Sequence, residues 1–365
     1  MIKVLQIMPE FGLAGAEIMC ETLVYQLVNT GQYDVYVVSL YDFHSPITER
    51  MEKKGIKLIY LNKQKGVDFS IIGRLVKVMK EYKIQIVHTH RYVMQYAIPA
   101  AILANIPVRI HTVHNEAKKE VGGYRRKLAY FFYKYCHVQP VSISPLITET
   151  IANEYGLKKE SIPMVFNGTD LSKCMVKTNY KIADGLFRFI HIGRMSFQKN
   201  HEIIIEAAKF LKHNKRNFVI DFVGIGEKEQ EIKEMVKQYG VQDVINFMGV
   251  HDNVYPLLHR SDCFILPSRY EGMPVTLVES MGCGMPIIAS AVGGVPDMIT
   301  DEFSGLLIHP NSMELYHAML KMMDGGESYR KSLGQNAFEK SKLFSADNMR
   351  KGYIKIYNSK NISNI

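Results

Sequence analysis

Twelve short, nearly continuous runs of apolar and β-branched residues constrain this chain more than any other feature. Six lie in the first half: Ile2–Met8, Asp34–Leu40, Lys57–Leu61, Ile84–His90, Val108–His114 and Val138–Ser144. Stretches with helical spacing separate them, such as Ile18, Leu23, Leu27 and Ile71, Leu75, Met79. After an irregular stretch near Leu171–Ala183 the plan repeats without repeated sequence: Phe187–Gly193, Phe218–Gly224, Val244–Gly249, Cys263–Pro267, Pro286–Ser290 and Leu306–Ile308. A strand that is apolar along its whole length is covered on both faces, and helical crossovers between such strands make the sheet parallel. The expected fold class is therefore α/β, with two Rossmann-like domains facing a cleft.

Length agrees, since 365 residues exceed one ordinary core and suit two domains. Apolar runs such as Tyr96–Val108 fall short of the roughly 20 residues of a bilayer crossing, and "MIKVLQIMPEFG" lacks the plan of a signal peptide. A cytoplasmic location is expected. Five scattered cysteines, none in a Cys-x-x-Cys pair, argue against a disulfide framework or a zinc knot. The net charge of +9 suits anionic partners without choosing among them.

Ligands of open α/β sheets sit beyond the carboxyl ends of the strands, so the loops there carry the chemistry. In "GRMSFQKN" the cations Arg194 and Lys199 stand five positions apart before a helix starting near Asn200, and are expected to converge on one anion. A guanidinium fork and an ammonium complement a diphosphate that gains charge as it leaves; a solvated basic loop is the plain alternative. In "PSRYEGMPVTLVES", Gly272 and Pro274 delay the helix to Pro274 or Val275, after the linking Met273. The amides of Val275, Thr276 and Leu277 are then expected to face outward and attract phosphate. Glu271 precedes that helix end and Glu279 lies one turn inside; carboxylates accept hydroxyls of a sugar. Diphosphate and polyol together describe a nucleotide-sugar, although exposed helix glutamates are common.

Elsewhere, Gly12 and Gly15 follow the first strand and permit close backbone approach. Gly224 opens a Gly-x-Gly in which Glu229 replaces the third glycine, so a nicotinamide site has little support. His88 and His90 share one strand face, and His111 and His114 end the next strand; His114, with Asn115 and Glu116, would orient a hydroxyl, although a lone histidine is more often structural. No metal is expected, because no Asp-x-Asp or His-Glu-x-x-His occurs. Residues 118–136 interleave Lys118, Lys119, Arg125, Arg126, Lys127 and Lys134 with aromatic residues, as a helix basic on one side and aromatic on the other. That suits an anionic membrane surface or a core helix with a solvated face. Nucleic acid is not an expected partner, since no recognition motif accompanies the patch.

Taken in order, these loops resemble the retaining glycosyltransferases of family 4, the glycogen-synthase-like group with the glycosyltransferase B fold. The resemblance is carried by "PSRYEGMPVTLVESMGCGMPIIASAVGGVP", "GRMSFQKN", "NGTD" and "GIGE". It implies that Arg194 and Lys199 hold the donor diphosphate, Glu271 contacts the donor sugar and Glu279 holds the ribose hydroxyls. Gly15 would lie against the donor, with Ala14 replacing the first glycine of the family's usual pair, and His114 would contact the transferred sugar. By the same resemblance, 1–170 plus 345–365 form an N-terminal acceptor domain with a C-terminal crossover helix, and 171–344 form the donor domain.

The implied activity is transfer of a sugar from a nucleotide-sugar, UDP-linked by resemblance, to a lipid-linked or polysaccharide acceptor in cell-surface glycan biosynthesis, of exopolysaccharide or capsule. Anomeric configuration is retained without metal or cofactor, the nucleotide-sugar being a co-substrate. The protein would act in the cytoplasm, peripherally on the inner face of the membrane. A nucleotide-sugar epimerase, a non-catalytic sugar-nucleotide-binding module and, more weakly, a nicotinamide oxidoreductase remain alternatives from the same residues.

Overall fold

The computed structural model describes residues 1–12, 15–251 and 253–359. The Ala14 substitution and residues 360–365 of the crossover segment lie outside the described residues. The chain divides into two compact units, Met1–Asp170 with Ser345–Ile365, and Leu171–Phe344.

The first unit holds a parallel sheet of β1 (Ile2–Met8), β2 (Tyr33–Ser39), β3 (Lys57–Tyr60), β4 (Ile86–His90), β5 (Val108–Val113) and β6 (Gln139–Ser142). The second holds β7 (Phe187–Ile192), β8 (Phe218–Val223), β9 (Ile245–Gly249), β10 (Cys263–Leu266), β11 (Ile287–Ser290) and β12 (Leu306–Ile308). Their orders are β3-β2-β1-β4-β5-β6 and β12-β11-β10-β7-β8-β9. Both follow one rule: the first strand is central and the chain reverses direction between the first and fourth strands of the unit. The loops after β1 and β4, and after β7 and β10, thus flank a topological switch point, where such sheets bind ligands.

Every residue of β4 is buried, and β1 is buried from Val4 onward, as double-sided covering requires. Alternate residues of β1 serve different cores: Val4 and Met8 pack with Ile86, Ile110, Met349 and Tyr353, whereas Leu5 and Ile7 pack with Leu75, Val87 and Ala97. The helix Ala346–Ser359 supplies Met349, Tyr353, Ile356 and Tyr357 to the first of these cores. Its entry is fixed twice. The Ser345 hydroxyl accepts from the Asn348 amide at 3.1 Å, and Gly168 of the "NGTD" turn lies so close that a Cβ there would stand 2.7 Å from Ala346 Cα. No helix among the described residues is long and apolar enough to cross a membrane.

Candidate functional site

In the second unit β7 runs into a loop whose residues Phe197–Lys199 form a short 3-10 turn before the helix His201–His213. Asn200 joins the two with φ 56° and donates to the Pro267 carbonyl at 3.2 Å, which ties this loop to the end of β10. A second tie runs from the Arg269 amide to the Gln198 carbonyl at 2.9 Å. These ties bring Lys199 Nζ to 2.6 Å from Glu271 Oε1, with side chains only 15% and 5% exposed. The same Oε1 accepts from Ser268 Oγ at 2.6 Å, and Oε2 accepts from Gln198 Nε2 at 3.3 Å. Glu271 is therefore not the open carboxylate expected from sequence, because three of its roughly four acceptor positions already have partners in the protein.

The two cations have different partners in the protein. Arg194 is 73% exposed and pairs with Glu227 of the loop after β8 at 3.0 Å. At φ 128° the missing Cβ of Gly224 would stand 2.2 Å from the Gly193 carbonyl, so its freedom serves the packing of two loops. The Gly-Gly after β11 has a similar cause, for at φ 54° a Cβ on Gly293 would fall 1.7 Å from the Glu271 carbonyl oxygen.

The helix Val275–Gly282 begins where Pro274, with extended ψ of 120°, ends the Gly272-Met273 link. The Pro274 carbonyl takes the amides of Leu277 at 3.1 Å and Val278 at 3.3 Å. Leu277 therefore has no outward amide, contrary to expectation: a tight first turn consumed it and buried the side chain. Val275 and Thr276 are half-buried and lead the helix. Glu279 accepts from the Tyr255 hydroxyl at 3.2 Å, and burial holds its carboxyl above the usual range against the opposing Tyr255 bond and the nearby Lys173.

In the first unit, Gly15 is the first residue of the helix Gly15–Val28, and a Cβ there would meet nothing within 4 Å. Glu17, buried in the first turn of that helix, binds Arg91 Nη1 at 2.5 Å; Arg91 leaves β4 with φ 56°. His114 follows β5, and its Nε2 lies 3.1 Å from His90 Nδ1. Burial pushes His114 down to about 3, with His111 and Arg91 adding to the effect, so its ring is neutral near neutral pH. Glu120 lies against the His114 and Asn115 amides, which together with Arg91 and the Asn115 side chain only partly oppose burial, and its carboxyl is pushed up to about 7.

Family models match in tandem: "Glycosyltransferase Family 4" over residues 13–173 and "Glycosyl transferases group 1" over residues 176–340. The chain is a family-4 glycosyltransferase. This glycosyltransferase is 29% identical over 281 residues to the Escherichia coli UDP-Gal:alpha-D-GlcNAc-diphosphoundecaprenol alpha-1,3-galactosyltransferase, covering 70% of the chain and 71% of that relative. It is 27% identical over 257 residues, 66% of the chain and 65% of the relative, to the N-acetyl-alpha-D-glucosaminyl L-malate synthase of Bacillus anthracis. Its fold superposes on a Rickettsia africae glycosyltransferase with TM-score 0.85 at 19% identity, covering 99% of both chains. It superposes on Anabaena HepE in complex with UDP with TM-score 0.81 at 17% identity, covering 98% of the chain and all of that one. Both parallel sheets thus belong to a glycosyltransferase B fold.

Several functional neighbours in the glycosyltransferase escaped sequence reasoning. Gln198 and Ser268 hold Glu271, Tyr255 holds Glu279, and Gln6 holds His90. His88 and His90 carried a signal, two imidazoles on one strand face, but their partners are Tyr357 and Gln6 rather than a third ligand. The basic segment also departs from expectation. On the helix Gly123–Tyr135 it is Ala129, Phe132 and Tyr133 that turn inward, while Tyr124, Tyr130, Phe131 and Tyr135 are exposed on the side that also carries Lys127 and Lys134. Arg126 pairs with Glu154 at 3.1 Å and Arg125 binds Gln95 at 3.1 Å, so these two cations are engaged by the protein itself.

Proposed function

We propose that this glycosyltransferase moves a hexose from a UDP-sugar to a lipid-linked or polysaccharide acceptor in cell-surface glycan biosynthesis, with retained configuration and without a metal. The observation that carries this reading is the Lys199–Glu271 pair at 2.6 Å, beside the chain leading into the helix at Val275. A desolvated ammonium held by a carboxylate is a ready counter-charge for a departing diphosphate. The Escherichia coli relative's name, which joins a UDP-sugar to a diphosphoundecaprenol-linked acceptor, supports the donor and acceptor class.

In this mechanism Lys199 shares its charge with the donor diphosphate, and Arg194 leaves its exposed pair with Glu227 to do the same. Glu271 contacts the transferred sugar, Glu279 the ribose hydroxyls, and Gly15, Val275 and Thr276 lie against the donor. His114 contacts the transferred sugar. The bond between the anomeric carbon and the phosphate oxygen breaks as the acceptor oxygen bonds on the same face. The acceptor's proton passes to the departing phosphate oxygen, so no protein base is required.

A thermal-shift screen of UDP-, GDP- and ADP-sugars tests the donor, with UDP-sugars expected to give the largest stabilisation. Transfer with the preferred donor should proceed in chelator and give a product of unchanged anomeric configuration. Loss of activity restored by magnesium, or an inverted product, would refute the corresponding part of the reading.

Membrane association is proposed through the outward face of Gly123–Tyr135, at the cytoplasmic surface. Exposed aromatic residues beside lysines suit the boundary of an anionic bilayer, at about 1 kcal/mol per cation near the surface. The double variant Lys127→Glu, Lys134→Glu is expected to release the protein from phosphatidylglycerol vesicles, as is Phe131→Ser with Tyr135→Ser. Unchanged co-sedimentation of both would dispose of the membrane contact.

A further inference from the structure

The face of the first sheet covered by Ala346–Ser359 carries a line of polar side chains that the reaction above does not use. Gln6, His88, His90 and Thr112 are each fully buried. Gln6 Nε2 donates to the Tyr357 hydroxyl at 3.2 Å, and Gln6 Oε1 lies 2.8 Å from His90 Nε2. His90 Nδ1 lies 3.1 Å from His114 Nε2. On the other branch, the Tyr357 hydroxyl is 2.9 Å from His88 Nδ1, and His88 Nε2 is 2.7 Å from Thr112 Oγ1, itself 2.8 Å from the Tyr353 hydroxyl.

Burial pushes all these imidazoles down, His88 and His90 well below the usual histidine range, so each ring carries one proton and is donor at one nitrogen and acceptor at the other. An amide oxygen only accepts. His90 must therefore carry its proton on Nε2, facing Gln6 Oε1, which leaves Nδ1 bare. A bare His90 Nδ1 accepts from His114, so the His114 proton sits on Nε2. His114 Nδ1 is then a bare acceptor, and it is a buried atom with no partner in the protein. The nitrogen of the Gln6 amide donates to the Tyr357 hydroxyl, whose own hydrogen is then directed at His88 Nδ1.

We propose that Gln6 and His90 are positioning residues: anchored by Tyr357 of the C-terminal helix, they fix the tautomer of His114 so that its Nδ1 accepts a hydrogen bond from a hydroxyl of the transferred sugar. The sugar contact rests on the functional reading given above; the tautomer does not. In that role His114 is an acceptor with a set direction, and the crossover helix contributes to the sugar site through a side-chain chain rather than by touching it. A histidine in the wrong tautomer loses its function even where its position is kept.

The test uses the full chain with 15N-labelled histidine. In the wild-type protein without substrate, the His114 ring is expected to show a protonated Nε2 and an unprotonated Nδ1; a proton on Nδ1 overturns the inference. Gln6→Met and His90→Leu are expected to lose the fixed tautomer and to lower kcat on the order of tenfold with unchanged donor KM. His90→Asn, which keeps an acceptor at the Nδ1 position, is expected to restore both the ring signature and most of kcat. Tyr357→Phe should give a mixed signature. A variant with an altered His114 tautomer and normal kcat would overturn the positioning role. Failure of the functional reading shows differently, as wild-type protein that transfers from no UDP-sugar while its ring signals are as expected.

Discussion

Lys199→Ala is expected to lower transfer about 100-fold or more, the usual cost of removing a group that meets charge developing in the transition state. The structure adds a second consequence. Lys199 and Glu271 are 15% and 5% exposed, and breaking a buried pair from one side costs about 3–5 kcal/mol because the remaining charge is left uncompensated. The two effects separate in the double variant Lys199→Ala, Glu271→Gln. Removing the lone charge is expected to return the melting temperature close to wild type while turnover stays low, because the sugar contact of Glu271 is then lost as well; a Lys199→Ala single variant that is fully folded at the assay temperature and still turns over about 100-fold more slowly assigns the loss to the ammonium. Arg194→Ala is the comparison, for its pair with Glu227 is exposed and contributes little to stability. A comparable fall in turnover there, with unchanged melting, assigns Arg194 to the donor. Near-normal turnover of Lys199→Ala would refute the proposed role of the pair.

The fold was legible because its signals are local. Near-continuous apolar runs gave all twelve strands, most within two residues, and Gly272 with Pro274 marked the helix start at Val275. The side chains of the site are another matter. Lys199 and Glu271 are 72 residues apart in the chain. Spacing along one loop says nothing of the protein partners of Arg194 and Lys199, Glu227 and Glu271, which the crossing of loops from β7, β8 and β10 supplies. The amide of Leu277 was misjudged for a smaller reason, since residue pattern does not say whether a first helical turn is tight enough for an i+3 bond. The face of Gly123–Tyr135 was misjudged because which aromatic residues turn inward depends on the neighbouring helices of its own unit, not on composition. The polar line beneath Ala346–Ser359 joins residues 6, 90 and 357, a closeness that no local pattern encodes.

The second large effect is one of pH, at Glu120. Its carboxyl is pushed up to about 7 in the folded chain from an ordinary value of 4.5, first by burial, with the His114 and Asn115 amides, the Asn115 side chain and Arg91 opposing. A folded value above the unfolded one means that the fold binds this proton more tightly than the unfolded chain does. The resulting stabilisation is fully present below about 4.5 and is lost as pH rises through 7. Glutamine imitates the protonated acid, so Glu120→Gln should lie within about 1 kcal/mol of wild type at pH 5 and be more stable at pH 8, by on the order of 3 kcal/mol. Neighbouring groups do not share this window. His114 stays neutral throughout, and the hydroxyls of Tyr133 and Tyr155 are both raised above their ordinary range. Unfolding midpoints of variant and wild type, compared at pH 5 and pH 8, decide the matter. A difference that is the same at both values would mean that Glu120 is ionised throughout and that its burial is compensated by a partner this reading has misjudged.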